Sequence, residues 1–573
     1  MKYTLTDFLA RVDEYTKGAS KQALADFIHL RARHLPQGAR NDFLKELTRP
    51  AGTQNQHGSE RHLAEKKTVL SDLKRIEDSE IMLYQECDYE YDEWYDDGEE
   101  YEYNDPDGVL DVIQRACAVL HEMINKEMYA DAREIADRLC KIEISVSSEW
   151  DTDLFDLQRL CDESILDIDI GSLTADIVYV VYNTEKAEDR AEAVYSTVTS
   201  FGHTAFRLES VMQRGSHDLP DADKFLLQWI DCLGSKSSTI SESLIKDAFA
   251  LITDSVMKEQ IASRLSKVHP CLYEQMLISE EWDDAGEKLR IGLKAMDEIP
   301  EKLVIRGRIA VIAADAACEL GDNILAEKCL FEAYRSDTSP KNYLRLAAAS
   351  SDYTVYREDM CSVFEDVYRR AFDKERHMYG AREMRENHIT EYEYYTLLFL
   401  NGSRERMITE GMSAAYPLGW SSTFMKQGIA LFMLLLYDRD ILTLEFEIML
   451  GHVIEVMRAD IVHSHLSHED PQIQSEQLWE RFKRWKSYEK ISEDEARSII
   501  ARLEAWVDIR TSGIIDKCRR NYYGECAAFI AALGVLRESR GYGQTKKQFM
   551  ESYRKKYPRH TAFRSELKVY GLQ

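Results

Sequence analysis

One stretch in the middle of the chain, residues 306–346, constrains the fold more than any other. It begins RGRIAVIAADAACEL, which keeps small or apolar side chains at helical spacing on one face. The sequence GDN at 321–323 interrupts this pattern, and Ala326 and Ala333 resume it before Pro340 closes the unit. Two antiparallel helices approach to roughly 8–10 Å only where the facing side chains are short. The stretch therefore predicts a helix, a tight turn and a second, closely packed helix.

This order of a small residue in the first helix, Gly near the turn, Ala in the second helix and Pro at the end resembles a tetratricopeptide repeat. Similar hairpins are predicted near residues 108–142, 173–201 and 270–300. Ala285 and Ala326 hold equivalent places in successive hairpins but stand further apart than the ~34 residues of such a repeat. The resemblance implies an all-α fold: an irregular tetratricopeptide-like α-solenoid with a small N-terminal helical segment and a helical C-terminal cap.

The chain of 573 residues has only 10 prolines and 26 glycines, which leaves little room for turn-rich β architecture and favours helices. We predict that it forms five parts. A solenoid core grows repeat by repeat and so has no size limit. The parts are an N-terminal helical segment (1–80), an acidic aromatic connector (81–107), tetratricopeptide-like repeats (108–350), aromatic-rich helices with an exposed loop (351–426), and C-terminal helical repeats with a basic end (427–573).

Charge, cysteine usage and hydropathy exclude several classes of protein. A formal charge of −29 argues against general binding to nucleic acid or anionic membranes. The 11 cysteines form no CxxC or CxC pair, which favours reduced, buried thiols in the cytoplasm. The longest apolar run, IALFMLLLY at 429–437, is about half of the ~20 residues that a membrane crossing needs. We therefore expect a cytoplasmic protein without a membrane partner.

An acidic tract at residues 86–107 contains 12 acidic residues interleaved with aromatic ones. Since like charges repel, it is typical of a solvated connector whose aromatic side chains lean back onto the solenoid. A docking strip for a basic partner surface is the alternative, whereas calcium binding is disfavoured because no glycine-centred ligand loop is present. The candidate partner-binding residues here are Tyr89, Tyr91, Trp94 and Tyr95.

Two basic segments, 481–490 and 537–564, combine cations with aromatic side chains in an otherwise acidic chain. Phosphate neutralisation with base stacking is one interpretation. The same side chains also suit a solenoid cap, in which the aromatic rings pack inward and the aliphatic parts of Lys and Arg cover the ring edges. A contact with an acidic partner is a further alternative. The candidate residues are Arg481, Arg484, Trp485, Lys546, Lys547, Arg554, Lys555 and Lys556.

The sequence contains no recognisable catalytic or cofactor motif, so we expect a non-enzymatic protein without a cofactor. The strongest metal candidate is VHSHLSHED at 462–470, with His463, His465 and His468 as ligands. The flanking serines and Pro471 favour a solvated helix end instead, so no metal is predicted. Residues 411–426 combine proline, glycine and serines, which predicts an exposed connector; regulated cleavage there is the alternative.

A second resemblance covers residues 80–573, from the acidic connector through the helical array to the closing segment RKKYPRHTAFRSELKVYGL. This order is similar to the tetratricopeptide-like region downstream of the zinc motif in bacterial SWIM zinc-finger proteins. Those proteins carry a CxC…CxH motif, and the present sequence has no CxC. The resemblance therefore implies the helical array alone, without the zinc site or its DNA contact.

These patterns favour an intracellular scaffold or adaptor that binds another protein in a groove formed by successive hairpins. The first alternative is a nucleic-acid-associated regulatory factor that uses the basic C-terminal region. The others are a regulatory protein controlled by cleavage in the 411–426 loop and an enzyme whose site is assembled from distant residues.

Overall fold

The structure is a computed structural model, and the chain is mostly α-helical wherever the model describes it, with neighbouring helices packed together. The predicted helical class is thus confirmed. The chain divides into two compact units, Met1–Ile168 and Asp169–Gln573. The described residues are 21, 28, 56–87, 101–148, 151–201, 206–215, 219–279, 283–372, 385–412, 420, 423–458 and 471–572.

In the first unit, three helices pack on one another: α1 (Gln56–Glu77), α2 (Val109–Asn125) and α3 (Tyr129–Leu139). Their apolar residues recur at helical spacing and are buried where the helices meet. The break predicted near Lys126 is present, since this residue caps the C-terminus of α2. A short helix, α4 (Leu157–Asp162), follows the sheet described next.

A four-stranded sheet completes the first unit, and α1 packs against one of its strands, β3. The strand order is β2-β1-β3-β4; the outer pairs are antiparallel and the central pair, β1 and β3, is parallel. The strands are β1 (Leu83–Cys87), β2 (Tyr101–Asn104), β3 (Ile144–Ser147) and β4 (Thr152–Phe155).

The sequence analysis predicts no strand in this region, and the physical reason is strand length. Each strand has four or five residues, too few to display a period of two. β1 and β2 also lie at the two ends of the acidic tract, whose charge favours a solvated connector. Tyr103 of β2 nevertheless packs against Phe155 of β4, with ring centroids 6.1 Å apart, and donates a hydrogen bond to Glu163.

The first part of the second unit is a succession of helices joined by short connections. Eight of them, from α8 to α15, are called the helical array (residues 222–349). The helices are α5 (Ile170–Thr184), α6 (Arg190–Phe201), α7 (Leu208–Met212), α8 (Ala222–Gly234), α9 (Thr239–Ala250), α10 (Ser255–Leu265), α11 (Cys271–Ile278), α12 (Ala285–Glu298), α13 (Val304–Glu319), α14 (Asn323–Ser336) and α15 (Pro340–Ala349).

The hairpin predicted from residues 306–346 is confirmed as α13 and α14. Gly321 occupies the turn with φ of 79°, a left-handed conformation that glycine adopts without steric cost. Asp322 caps α14 by accepting a hydrogen bond from the Leu325 N–H at 3.0 Å. Ala326 and Ala333 are buried, as the close approach of the two helices requires.

Polar contacts between helices two apart in the array recur at a nearly constant sequence separation of 31 to 35 residues. They follow two series, one through α8, α10 and α12 and the other through α11 and α13. The contacts are Arg264–Asp231 (2.6 Å), Arg290–Glu259 (2.8 Å), Lys294–Glu259 (2.8 Å) and Arg308–Glu274 (2.6 Å).

The remaining helices pack in a less regular order, and α15 packs against α21 although the two are far apart in sequence. Two 3₁₀ turns, Tyr353–Tyr356 and Arg520–Tyr522, connect them. The helices are α16 (Arg357–Phe372), α17 (Glu391–Leu400), α18 (Arg404–Gly411), α19 (Met425–Leu436), α20 (Leu444–Arg458), α21 (Pro471–Lys486), α22 (Glu493–Asp516), α23 (Tyr523–Ser539), α24 (Lys546–Lys556) and α25 (Thr561–Val569).

A buried carboxylate joins three distant segments of this second part. The Glu489 side chain is 6% exposed and forms ion pairs with Arg357 and Arg404. It also accepts a hydrogen bond from the Tyr353 hydroxyl at 3.1 Å. Because a buried charge is tolerated only when it is paired, this network fixes the connector after α21 against residues 353–404.

Candidate partner-binding groove

One face of the second unit carries charged side chains from four helices: α11, α13, α15 and α21. α11 packs against α13, and α15 packs against α21. At one end of the face, Arg308 donates two hydrogen bonds to the Glu274 carboxylate, at 2.6 and 2.9 Å. This bidentate geometry aligns α13 with α11.

The centre of the face carries an acidic side chain between two basic ones. Asp315 lies seven residues after Arg308, two helical turns further along the same side of α13. Arg345 of α15 and Arg481 of α21 are close enough to act on its charge. The structure therefore brings one predicted candidate, Arg481, together with two residues that the sequence analysis did not identify.

Asp315 combines solvent exposure with a shifted pKa. Its side chain is exposed to solvent, yet desolvation by the surrounding protein raises its pKa above the usual aspartate value, against the opposing effect of Arg345 and Arg481. Cys318, one turn further on, is also exposed, and desolvation followed by the charge of Asp315 raises its pKa.

The two arginines are held by neighbours on their own helices. Arg345 donates a hydrogen bond to the Asn342 side-chain oxygen at 2.8 Å, and Arg481 donates one to Gln477 at 3.4 Å. Ile278, at the end of α11, adds an apolar side chain that is 63% exposed. We call the surface around Asp315, Arg345 and Arg481, on α13, α15 and α21, the groove.

The groove can bind polar and charged side chains but has no evident nucleophile. A raised thiol pKa keeps Cys318 protonated, and the protonated thiol is a poor nucleophile. A separate cavity near Arg404 and Trp506 measures about 70 Å³, whereas ligand sites usually span ~300–1,000 Å³. This cavity is therefore smaller than a typical ligand site.

The other two candidates of the 481–490 segment, Arg484 and Trp485, contact residues of the second unit itself. The Arg484 guanidinium lies 5.1 Å from the centre of the Tyr488 ring. Trp485 is fully buried and its indole N–H donates to the Leu400 carbonyl at 3.0 Å. Trp485 is thus a core residue, which corrects its prediction as a partner-binding side chain.

Three of the five basic candidates near the C-terminus are engaged in ion pairs. Lys546 pairs with Glu445 at 2.8 Å, Arg554 with Glu551 at 2.7 Å, and Lys556 with Asp508 at 2.6 Å. Lys547 and Lys555 are exposed on α24. The interpretation of this segment as a solenoid cap accounts for the three paired side chains.

Several predicted residues lie outside the described part of the chain. They are Tyr89, Tyr91, Trp94 and Tyr95 of the acidic tract, and His463, His465 and His468 of the metal candidate. Within the described part, no group of three or more His, Cys, Asp or Glu side chains could hold a metal ion. Across the same residues, no helix is long and apolar enough to cross a membrane.

The predicted loop at 411–426 is described only at its ends and at Trp420. The Phe424 N–H donates to the Gly411 carbonyl at 3.2 Å, which closes the base of the loop. Trp420 is buried and packs edge-on against Phe529, with ring centroids 5.6 Å apart. These three positions are anchored to the helices; cleavage within the loop stays a prediction.

Comparison with known proteins identifies no relative. No protein-family model matches the chain, and no curated protein matches it significantly. The class of protein is therefore argued from the helices and the groove alone.

Proposed function

We propose that the chain is a non-enzymatic scaffold or adaptor built as a tetratricopeptide-like α-solenoid. The contacts that recur every 31 to 35 residues support this arrangement, because the repeat of such arrays is ~34 residues. Helices one repeat apart then lie side by side, and the array gains a continuous surface. The relationship to the helical region of SWIM zinc-finger proteins is part of the same proposal.

The groove is the surface that we propose binds a partner protein. The observation that carries the proposal is Asp315, an exposed but desolvated carboxylate facing Arg345 and Arg481. Partly desolvated charges discriminate strongly between partners, because a mismatched partner leaves them unpaired. A cytoplasmic location is also proposed, since the 11 cysteines of the sequence form no CxxC or CxC pair.

The proposal can be tested by charge reversal in the groove. Full-length protein carrying Arg481→Glu is compared with wild type in affinity capture from the native host after nuclease treatment, with retained proteins quantified by mass spectrometry. We expect recovery of the specific partner to fall about tenfold, as the loss of one well-placed ion pair and the repulsion from Asp315 imply.

Lys328→Glu is the matched control, because Lys328 is an exposed cation on α14, outside the groove. Its partner recovery should equal that of the wild type. Circular dichroism confirms that both variants fold. The proposal is contradicted if Arg481→Glu retains the same proteins in the same amounts, or if nuclease alone removes them.

A further inference from the structure

Four exposed cations gather at the C-terminal end of the second unit. Lys517, Arg519 and Arg520 follow the end of α22, and Arg559 follows the end of α24. All four side chains are exposed. We call these four residues the basic edge.

Aromatic contacts place the two segments of the basic edge beside each other. Tyr523, which follows the first segment, packs against Phe563 with ring centroids 5.8 Å apart. Tyr557, which precedes Arg559, packs against the same ring at 5.9 Å. The two segments therefore flank one aromatic cluster.

The basic edge differs from most cationic side chains of the second unit in its lack of ion pairs within the described residues. None of the four cations forms an ion pair with a carboxylate that the structure describes. Arg264, another exposed arginine of the second unit, is by contrast paired with Asp231. In a chain with a formal charge of −29, an unpaired basic cluster is a local exception.

We propose that the basic edge binds an acidic segment of a partner protein. This proposal rests on the proposed scaffold function and names the chemical class of one partner. Guanidinium groups recognise carboxylates in bidentate geometry, and three of the four cations are arginines. The adjacent Tyr522 ring is 37% exposed and offers an apolar contact.

A protein segment suits this surface better than a nucleic acid does. Nucleic-acid affinity comes mainly from neutralising many phosphates along a backbone, and four cations offer a small footprint. A longer polyanion would extend beyond the basic edge onto a protein of strongly negative charge. A short acidic peptide can match the length of the basic edge and so avoid the negatively charged surface around it.

The test measures binding of fluorescein-labelled poly-L-glutamate to the purified full-length protein by fluorescence anisotropy. The variant Lys517→Gln/Arg519→Gln/Arg520→Gln should bind about tenfold more weakly, because each exposed pair contributes a modest free energy. Arg559→Gln, on the other loop, should weaken binding about threefold and guards against misfolding of the triple variant.

The matched control is Lys224→Gln/Lys267→Gln/Lys328→Gln, which removes the same charge from exposed sites in the helical array. It should bind within about twofold of wild type, since distant exposed charges are screened.

Equal weakening of both triple variants, or no binding by wild type, overturns the proposal. Tighter binding of labelled oligothymidylate, lost in the same variant, also overturns it in favour of nucleic acid. Arg481→Glu should leave the binding of poly-L-glutamate unchanged. The test of the groove and the test of the basic edge are therefore independent.

Discussion

The helical array (residues 222–349) and the C-terminal helices (residues 471–572) use the same element but are stabilised in different ways. In the array, ion pairs join helices that are two apart in the chain, as Glu274 and Arg308 do. In the C-terminal helices, the central contact is a buried carboxylate, Glu489, whose arginine partners precede it by 85 and 132 residues. The first pattern repeats similar, partly exposed contacts, whereas the second includes a buried network that joins segments far apart in sequence.

This difference predicts that the largest loss of stability comes from Glu489→Ala. Removal of one partner from a buried ion pair leaves the other charges unpaired, so the free energy of unfolding should fall by about 3–5 kcal/mol. Chemical denaturation at pH 7 measures the change. Glu493→Ala is the control: this side chain is 68% exposed and pairs with Arg540, so its loss should cost less than about 1 kcal/mol. Equal costs would remove the distinction between the two regions.

A smaller effect is expected from overpacking the array with Ala326→Leu. Ala326 is 2% exposed between α14 and its neighbours, so a larger side chain should destabilise the protein by roughly 1–3 kcal/mol. Lys328→Leu, two residues further on the same helix, is exposed and should change the free energy by less than about 0.5 kcal/mol. An unchanged thermal melting curve for Ala326→Leu would mean that Ala326 is not at a helix crossing.

The comparison also explains how much could be predicted from the sequence. Hairpins such as α13 and α14 were predictable because the small residues, the GDN turn and Pro340 all lie within a few helical turns of one another. The sheet was not, because its strands are short and β1 pairs with β3 about sixty residues away. Sequence periodicity reports local structure and carries no information on such pairing.

The groove was predictable only in part, for the same reason. Successive hairpins imply a groove, and Arg481 belongs to a visible basic segment. Asp315 is one aspartate in a chain with 102 acidic residues, and only the packing of α15 against α21 brings it near Arg345 and Arg481. The weak signal that was available is that Asp315 interrupts an otherwise small and apolar helix, AVIAADAAC.

The stacking of helices one repeat apart is the central claim, and Glu259 tests it most directly. Glu259 lies on α10, and its partners Arg290 and Lys294 lie on α12; their hydrogen bonds lower its pKa from 4.5 to about 2. Between pH 2 and pH 4.5 the unfolded chain therefore binds a proton at Glu259 that the folded protein does not bind. The ion pairs of Glu259 stabilise the folded protein above pH 4.5, and this stabilisation is lost as the pH falls towards 2.

The measurement is the free energy of unfolding of wild type and Glu259→Gln as a function of pH. We expect wild type to be more stable by about 1 kcal/mol at pH 7, a modest value because the pair is partly exposed. The difference should shrink steadily as the pH falls below 4.5. A difference that is absent at pH 7, or that stays constant down to pH 2, would contradict the side-by-side packing of α10 and α12.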